Sequence, residues 1–161
     1  MTEAIKIAER AESSGNYRIG AIILDSRMEV IGSAFTELHS QPDPTAHAEI
    51  LALRRACAGV NSRYLPDCFL YTTLEPCPMC TSAAIWAKLE GIVYGATLED
   101  AADFARRSGP GFSWRQINVK ASYVVARGTP TLRLHEEFMR EECLNLVSPS
   151  PFRCTSHMTT L

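Results

Sequence analysis

Short runs of consecutive apolar residues, separated by stretches with apolar residues at helical spacing, constrain this chain more than any other feature. The runs are Ile19–Leu24, Asp67–Leu74 and Gly91–Ala96. A strand that is apolar at nearly every position is buried on both faces, and helices are the usual cover. The intervening stretches supply them. Ala4, Ile7, Ala8 and Ala11 fall on one face of a helix over 3–12. Asp43-Pro44-Thr45 reads as the start of a second helix, with an acidic cap and proline in the first turn. That helix carries Ala46, Ile50, Leu53 and Cys57, and Gly59 ends it. A third helix follows Pro78 through Met79, Ala83, Trp86 and Ala87. Ile19–Leu24 and Glu29–Ala34, joined by Asp25-Ser26-Arg27, read as a hairpin with the first strand central. Beyond Leu98 the pattern predicts a short helix over 99–107, a last strand over 131–134 and a C-terminal helix marked by Met139, Cys143 and Leu146. Residues 117–127 fit a strand or an extended loop equally. The alternation implies an α/β fold, a three-layer α/β/α sandwich. One domain spans 1–147, and the Ser-, Thr- and Pro-rich stretch 148–161 reads as a flexible tail.

Charge and cysteine usage narrow the class. Sixteen Lys and Arg against eighteen Asp and Glu leave a net charge of −2. That argues against wrapping nucleic acid by bulk charge alone, although Arg54-Arg55 and Arg106-Arg107 could form a local patch. The longest apolar run falls far short of the ~20 residues of a membrane span. Met1–Lys6 is charged and lacks the apolar core of a secretory signal, so a cytoplasmic protein is expected. In that setting closely spaced cysteines more often bind metal than form disulfides. Of the six cysteines only Cys77 and Cys80 are close; Cys57, Cys68, Cys143 and Cys154 read as small buried or incidental thiols.

Two stretches carry candidate chemistry: Thr45-Ala46-His47-Ala48-Glu49, and Leu74-Glu75-Pro76-Cys77-Pro78-Met79-Cys80. Each lies at the head of an expected helix. His47, Cys77 and Cys80 are a nitrogen and two sulfurs, a donor set that favours zinc over harder metals. Three protein ligands leave one tetrahedral position open, and an open zinc site lowers the pKa of water to about 7. A fourth ligand, from His39, His135 or Cys68, would close the site instead. Helix N-termini favour thiolates, which suits both cysteines. Glu49 lies two residues from His47, about 200° around a helix. Both reach one cavity only if the first turn faces it end-on. Taken singly, the His reads as a cap or core residue, the Cys pair as structural or redox, and the Glu as a dipole partner. Their order at two helix heads points to an open metal site beside a proton-transfer carboxylate.

Asp43-Pro-Thr-Ala-His-Ala-Glu49, Tyr71-Thr-Thr-Leu-Glu-Pro-Cys-Pro-Met-Cys80 and Val93-Tyr-Gly-Ala96 resemble the cytidine and deoxycytidylate deaminase superfamily, in the branch of tRNA adenosine, guanine and cytosine deaminases. The likeness covers about residues 3–104. It implies a five-stranded mixed sheet with helices on both faces, a homodimer and one zinc ion per chain. By position, His47, Cys77 and Cys80 match the zinc ligands and Glu49 the catalytic proton shuttle. The Ala48 N–H matches the group that holds a base carbonyl. The implied reaction is hydrolytic: an amidine-like ring carbon loses its amino group as ammonia. Where the family carries Asn at the end of the second strand this chain has Ala34, and the loop after Phe35 is longer than usual. Trp86 and Asp100 echo the guanine deaminases, so Phe35, Trp86 and Asp100 are expected around a guanine-like base. A small base or nucleoside is thus the expected substrate. Editing of tRNA adenosine to inosine is the alternative, and a catalytically silent zinc-binding subunit is a third. Phe152 or His157 in the tail could cover the site.

Overall fold

A computed structural model of the chain describes residues 1–109 and 114–147. Among these residues the elements follow the expected alternation. Helix α1 (Thr2–Arg10) and a single 3-10 turn precede a hairpin of β1 (Gly20–Leu24) and β2 (Val30–Phe35). Helix α2 (Ala48–Gly59), β3 (Phe69–Leu74), α3 (Pro78–Trp86) and β4 (Gly91–Ala96) come next. Then follow α4 (Leu98–Ser108), α5 (Ala121–Val125), β5 (Arg133–His135) and α6 (Arg140–Leu144). The strands form one mixed sheet of order β2-β1-β3-β4-β5. β1 runs antiparallel to both neighbours, while β3, β4 and β5 are parallel. This is the three-layer α/β/α sandwich with five strands that the sequence implied.

Alternation along β1 shows how the sheet feeds both layers. Ala21 and Ile23 enter the larger core, with Ala52 and Leu53 of α2, Ala84 and Ile85 of α3, and Val125 of α5. Ile22 and Leu24 point the other way, against Ala4 and Ile7 of α1. At the ends of β3 and β4, Leu74 and Ala96 form a third cluster with Ala101 of α4 and Cys143. Helix α2 lies unusually close to β2. A Cβ built on Gly32 would sit 2.4 Å from the Ala52 carbonyl oxygen, so only glycine allows this approach. The contact seats the N-terminus of α2 over the carboxyl end of the hairpin.

Three local readings are corrected. Asp43 does not cap α2. Its Oδ1 accepts from the Thr45 N–H (2.8 Å) and the Thr45 hydroxyl (2.6 Å), closing a separate turn, and the helix begins at Ala48 with His47 as its cap. The ambiguous stretch 117–127 contains α5, too short for helical periodicity to reveal. The last strand is displaced to Arg133–His135, set by pairing with β4 rather than by local pattern. Among the lone cysteines, Cys68 and Cys143 are buried thiols and Cys57 a half-buried one. Cys154, Phe152, His157 and the whole stretch expected as a tail, 148–161, lie outside the described residues. Among the described residues no helix is long and apolar enough to cross a membrane.

Candidate metal centre and its cavity

Two helix N-termini converge beside the sheet. His47 caps α2 and Cys77 caps α3, both with extended backbone, and Pro78 occupies the first turn of α3. This brings together residues thirty positions apart. His47 Nδ1 stands 3.8 Å from Cys77 Sγ and 3.6 Å from Cys80 Sγ, and the two sulfurs are 3.7 Å apart. Tetrahedral bonds of about 2.3 Å to sulfur and about 2.0–2.1 Å to nitrogen would place two sulfurs about 3.8 Å apart and each sulfur about 3.6 Å from the nitrogen. The donors therefore fit zinc without rearrangement. Among the described residues no other His, Cys, Asp or Glu joins the three; His39, His135 and Cys68 stand elsewhere. The donor set is that of an open site.

Glu49 completes the floor. It is 4% exposed and lines the same cavity as His47 and Cys77, while Cys80 is fully buried behind them. The end-on geometry that a two-residue spacing demanded is thus met. Without metal, burial pushes the Glu49 carboxyl up to about 7, against the opposing charge of His47. The hydrogen bond shared by the thiols pulls Cys77 down to about 4, helped by His47, and pushes Cys80 up together with its burial. The hydrogen bond with Cys77 raises His47, and burial opposes it. Metal binding requires a neutral imidazole and two thiolates, so these shifts describe the protein before loading.

The cavity has a volume of about 600 Å3, well within the range of small-molecule sites. Thr36, Leu74, Glu75 and Leu98 line its walls. Ala34, the position where the resemblance expects Asn, is buried in the larger core. Two residues on, the buried Thr36 hydroxyl meets the cavity and accepts from the Ala48 N–H at 3.3 Å. A base carbonyl would compete with Thr36 for that N–H. The rim is aromatic: Tyr17 packs edge-on against His39 (4.9 Å between centroids) and Trp114 (5.3 Å), and all three line the cavity. Buried Asn16 fixes the long loop after Phe35, accepting from the His39 N–H (2.7 Å) and donating to Ser40 Oγ (3.0 Å).

The other expected base contacts lie elsewhere. Trp86 is 79% exposed, on a shallow apolar groove with Ile50, Leu53 and Arg63, and does not line the metal cavity of its own chain. Asp100 closes a capping box with Thr97 at the start of α4 and pairs with Arg140. Phe35 packs beside Ile22 and Leu24 on the α1 side of the sheet. Of the residues that do form the walls and rim, Thr36, Glu75, Tyr17 and Trp114 carry no role of their own in the sequence reading, and His39 enters it only as a candidate fourth ligand. Strand alternation from Ala34 could have found Thr36, and Glu75 sits inside the second motif.

Residues 1–96 match the model of the cytidine and deoxycytidylate deaminase zinc-binding region. A tRNA-specific adenosine deaminase of Buchnera aphidicola is 34% identical over 148 residues, covering 92% of this chain and 89% of the relative. The guanine deaminase of Bacillus subtilis is 42% identical over 84 residues, 52% of this chain and 53% of the relative. Against three further curated relatives, a tRNA(Ile)-lysidine synthase and two tRNA-specific adenosine deaminases, the chain spans 16%, 61% and 56% of their length. The solved guanine deaminase of Nitrosomonas europaea superposes with a TM-score of 0.73 over 91% of this chain and 79% of its own, at 24% identity, a likeness of fold.

Proposed function

The chain belongs to the cytidine and deoxycytidylate deaminase family, and on that premise we propose that it is a zinc-dependent hydrolase that removes an amino group from a purine-like base, with guanine the first substrate to test. The observation that carries this reading is the floor of the cavity: three donors at zinc-compatible separations beside a buried, cavity-facing Glu49. Zinc held there supplies Lewis acidity at neutral pH. Glu49 takes a proton from the attacking water on a carboxylate oxygen and passes it to the ring nitrogen. Its burial keeps bulk water from competing for that proton, which suits a carboxylate that must both accept it and return it. The walls made by Thr36, Leu74 and Leu98 orient the ring, and the amino group leaves as ammonia. An intact Glu49 weighs against a catalytically silent subunit.

The choice of guanine is supported by the Bacillus subtilis relative. It draws nothing from Trp86 or Asp100, which lie outside the cavity of their own chain. A second reading, deamination of adenosine within tRNA, is favoured by the near full-length match to the Buchnera aphidicola enzyme. The aromatic rim and a cavity larger than a single ring fills also suit a base carried on a longer substrate. A homodimer accompanies either reading and would cover the exposed Trp86; light scattering at micromolar concentration tests it. For the activity itself, ammonia release is measured with free bases, nucleosides and a tRNA anticodon stem-loop. Turnover of guanine, lost in Glu49→Ala with zinc retained, supports the first reading. Turnover of the stem-loop alone replaces it with the second. No ammonia from any substrate, with one zinc per chain, overturns both.

A further inference from the structure

Glu75 is 3% exposed, and both of its partners are main-chain N–H groups on other elements. Oε2 accepts from Leu98, the first residue of α4, at 3.0 Å. Oε1 accepts from Ala121, the first residue of α5, at 2.9 Å. Its own N–H donates to the Ala96 carbonyl at 2.7 Å, extending the β3–β4 pairing by a step. A single side chain thus joins the end of the central strands to the starts of two helices that follow 23 and 46 positions later. Glu75 and Leu98 both line the cavity, as do Trp114, Arg115 and Gln116 on the segment that leads into α5.

We propose that Glu75 is a positioning residue for substrate: by holding the first turns of α4 and α5, it sets the cavity wall at Leu98 and the rim at 114–116. The metal-ligand loop next to it has its own support. The buried Thr81 hydroxyl donates to the Pro76 carbonyl (3.1 Å) or the Cys77 carbonyl (3.0 Å), and Pro76 and Pro78 stiffen the turn. Loss of the Glu75 carboxylate therefore displaces the walls and spares the donors. Two acceptors are required, because each N–H is buried where it meets Glu75 and a buried donor left without its acceptor is costly. Glutamine keeps the shape and offers one acceptor, so one of the two N–H groups faces an amide NH2.

The test compares wild type with Glu75→Gln, and with Glu75→Asp should the glutamine variant fail to fold. Its kinetic arm rests on the deaminase reading and uses the substrate identified by the panel. KM should rise about tenfold, the effect of leaving one buried polar group unpaired, while kcat per bound zinc changes by less than about threefold. Zinc should stay at one per chain. A second arm needs no substrate. The chain has two tryptophans, so a Trp86→Phe background leaves Trp114 as the sole reporter. Acrylamide quenching of Trp114 should increase in the Glu75 variants and stay unchanged in Thr81→Ala, which should weaken zinc retention instead. Unchanged KM and quenching, even with a lowered melting temperature, overturns the proposal, as does loss of zinc from the Glu75 variants. If wild type turns over no substrate, the deaminase reading fails by itself and Trp114 quenching alone decides for or against the positioning role.

Discussion

The floor and the rim of the cavity are built by different means. The floor is two helix starts, His47 to Glu49 and Cys77 to Cys80, each within a single turn and each anchored to the sheet by its helix. The rim is loop: Tyr17, His39 and Trp114 come from three separate segments and are placed by side-chain hydrogen bonds and ring contacts. A floor built from short-range spacing can present the same reactive groups whatever the loops do. A rim built from long-range contacts can change what is admitted without touching the chemistry. The guanine deaminase and tRNA-specific adenosine deaminase relatives match 52% and 92% of this chain. If the division holds, the rim is where the choice between such substrates is made.

The largest expected effect lies in the floor. Cys80→Ala should abolish zinc retention and all ammonia release, measured by metal analysis of the dialysed protein; retained zinc would break the proposed division of labour. Glu49→Gln should keep zinc and lower kcat by about 10²–10⁴-fold, the usual contribution of a positioned acid–base group. The same variant sharpens the electrostatic argument in zinc-free protein. Below the ordinary glutamate value of 4.5 both folded and unfolded chains are protonated at Glu49, and burial costs no charge. Between 4.5 and about 7 the unfolded chain releases the proton and the folded one keeps it, so stability falls as pH rises through that window. Wild type should lose up to about 3 kcal/mol relative to Glu49→Gln between pH 4 and pH 8, read from urea denaturation. A difference that grows in the other direction would contradict a buried, desolvated carboxyl.

Rim substitutions should be milder and act on binding. Asn16→Ala removes the acceptor for the His39 N–H and the donor to Ser40, and should cost about 1–3 kcal/mol of stability with a raised KM and an unchanged zinc content. If it lowered kcat per zinc as strongly as Glu49→Gln, the separation of floor from rim would not hold. Smallest of all, Arg54→Ala breaks an exposed pair with Asp43 at 3.5 Å and should change stability by no more than about 1 kcal/mol.

Most of the sheet and both metal-binding turns were legible in the residue pattern, because β1, β3 and β4 are continuous apolar runs and α2 and α3 are long enough to show their period. The misreadings share a cause. Asp43 has the chemistry of a helix cap but spends it on Thr45 two residues on. Trp86 falls with Met79 and Ala83 on an apolar stripe of α3, but the helix buries its other face, Cys80, Thr81, Ala84 and Ile85, and leaves Trp86 exposed. Asp100 resembles a base-reading acid and is instead consumed by Thr97 and Arg140. A side chain's identity advertises what it can bind, and its neighbours decide what it does bind.

The sequence by itself picked out the candidate donor set and the proposed proton carrier, because His-x-Glu and Cys-x-x-Cys are each confined to one helical turn, where spacing and direction are nearly the same thing. Tertiary structure alone decided that the two turns meet at zinc-binding distance. It also decided that Thr36 rather than Ala34 offers a polar group to the cavity, and that Glu75 ties α4 and α5 to its walls. Those outcomes depend on how separate elements pack across a sheet, a geometry set by the sum of distant contacts and written in no local stretch of residues.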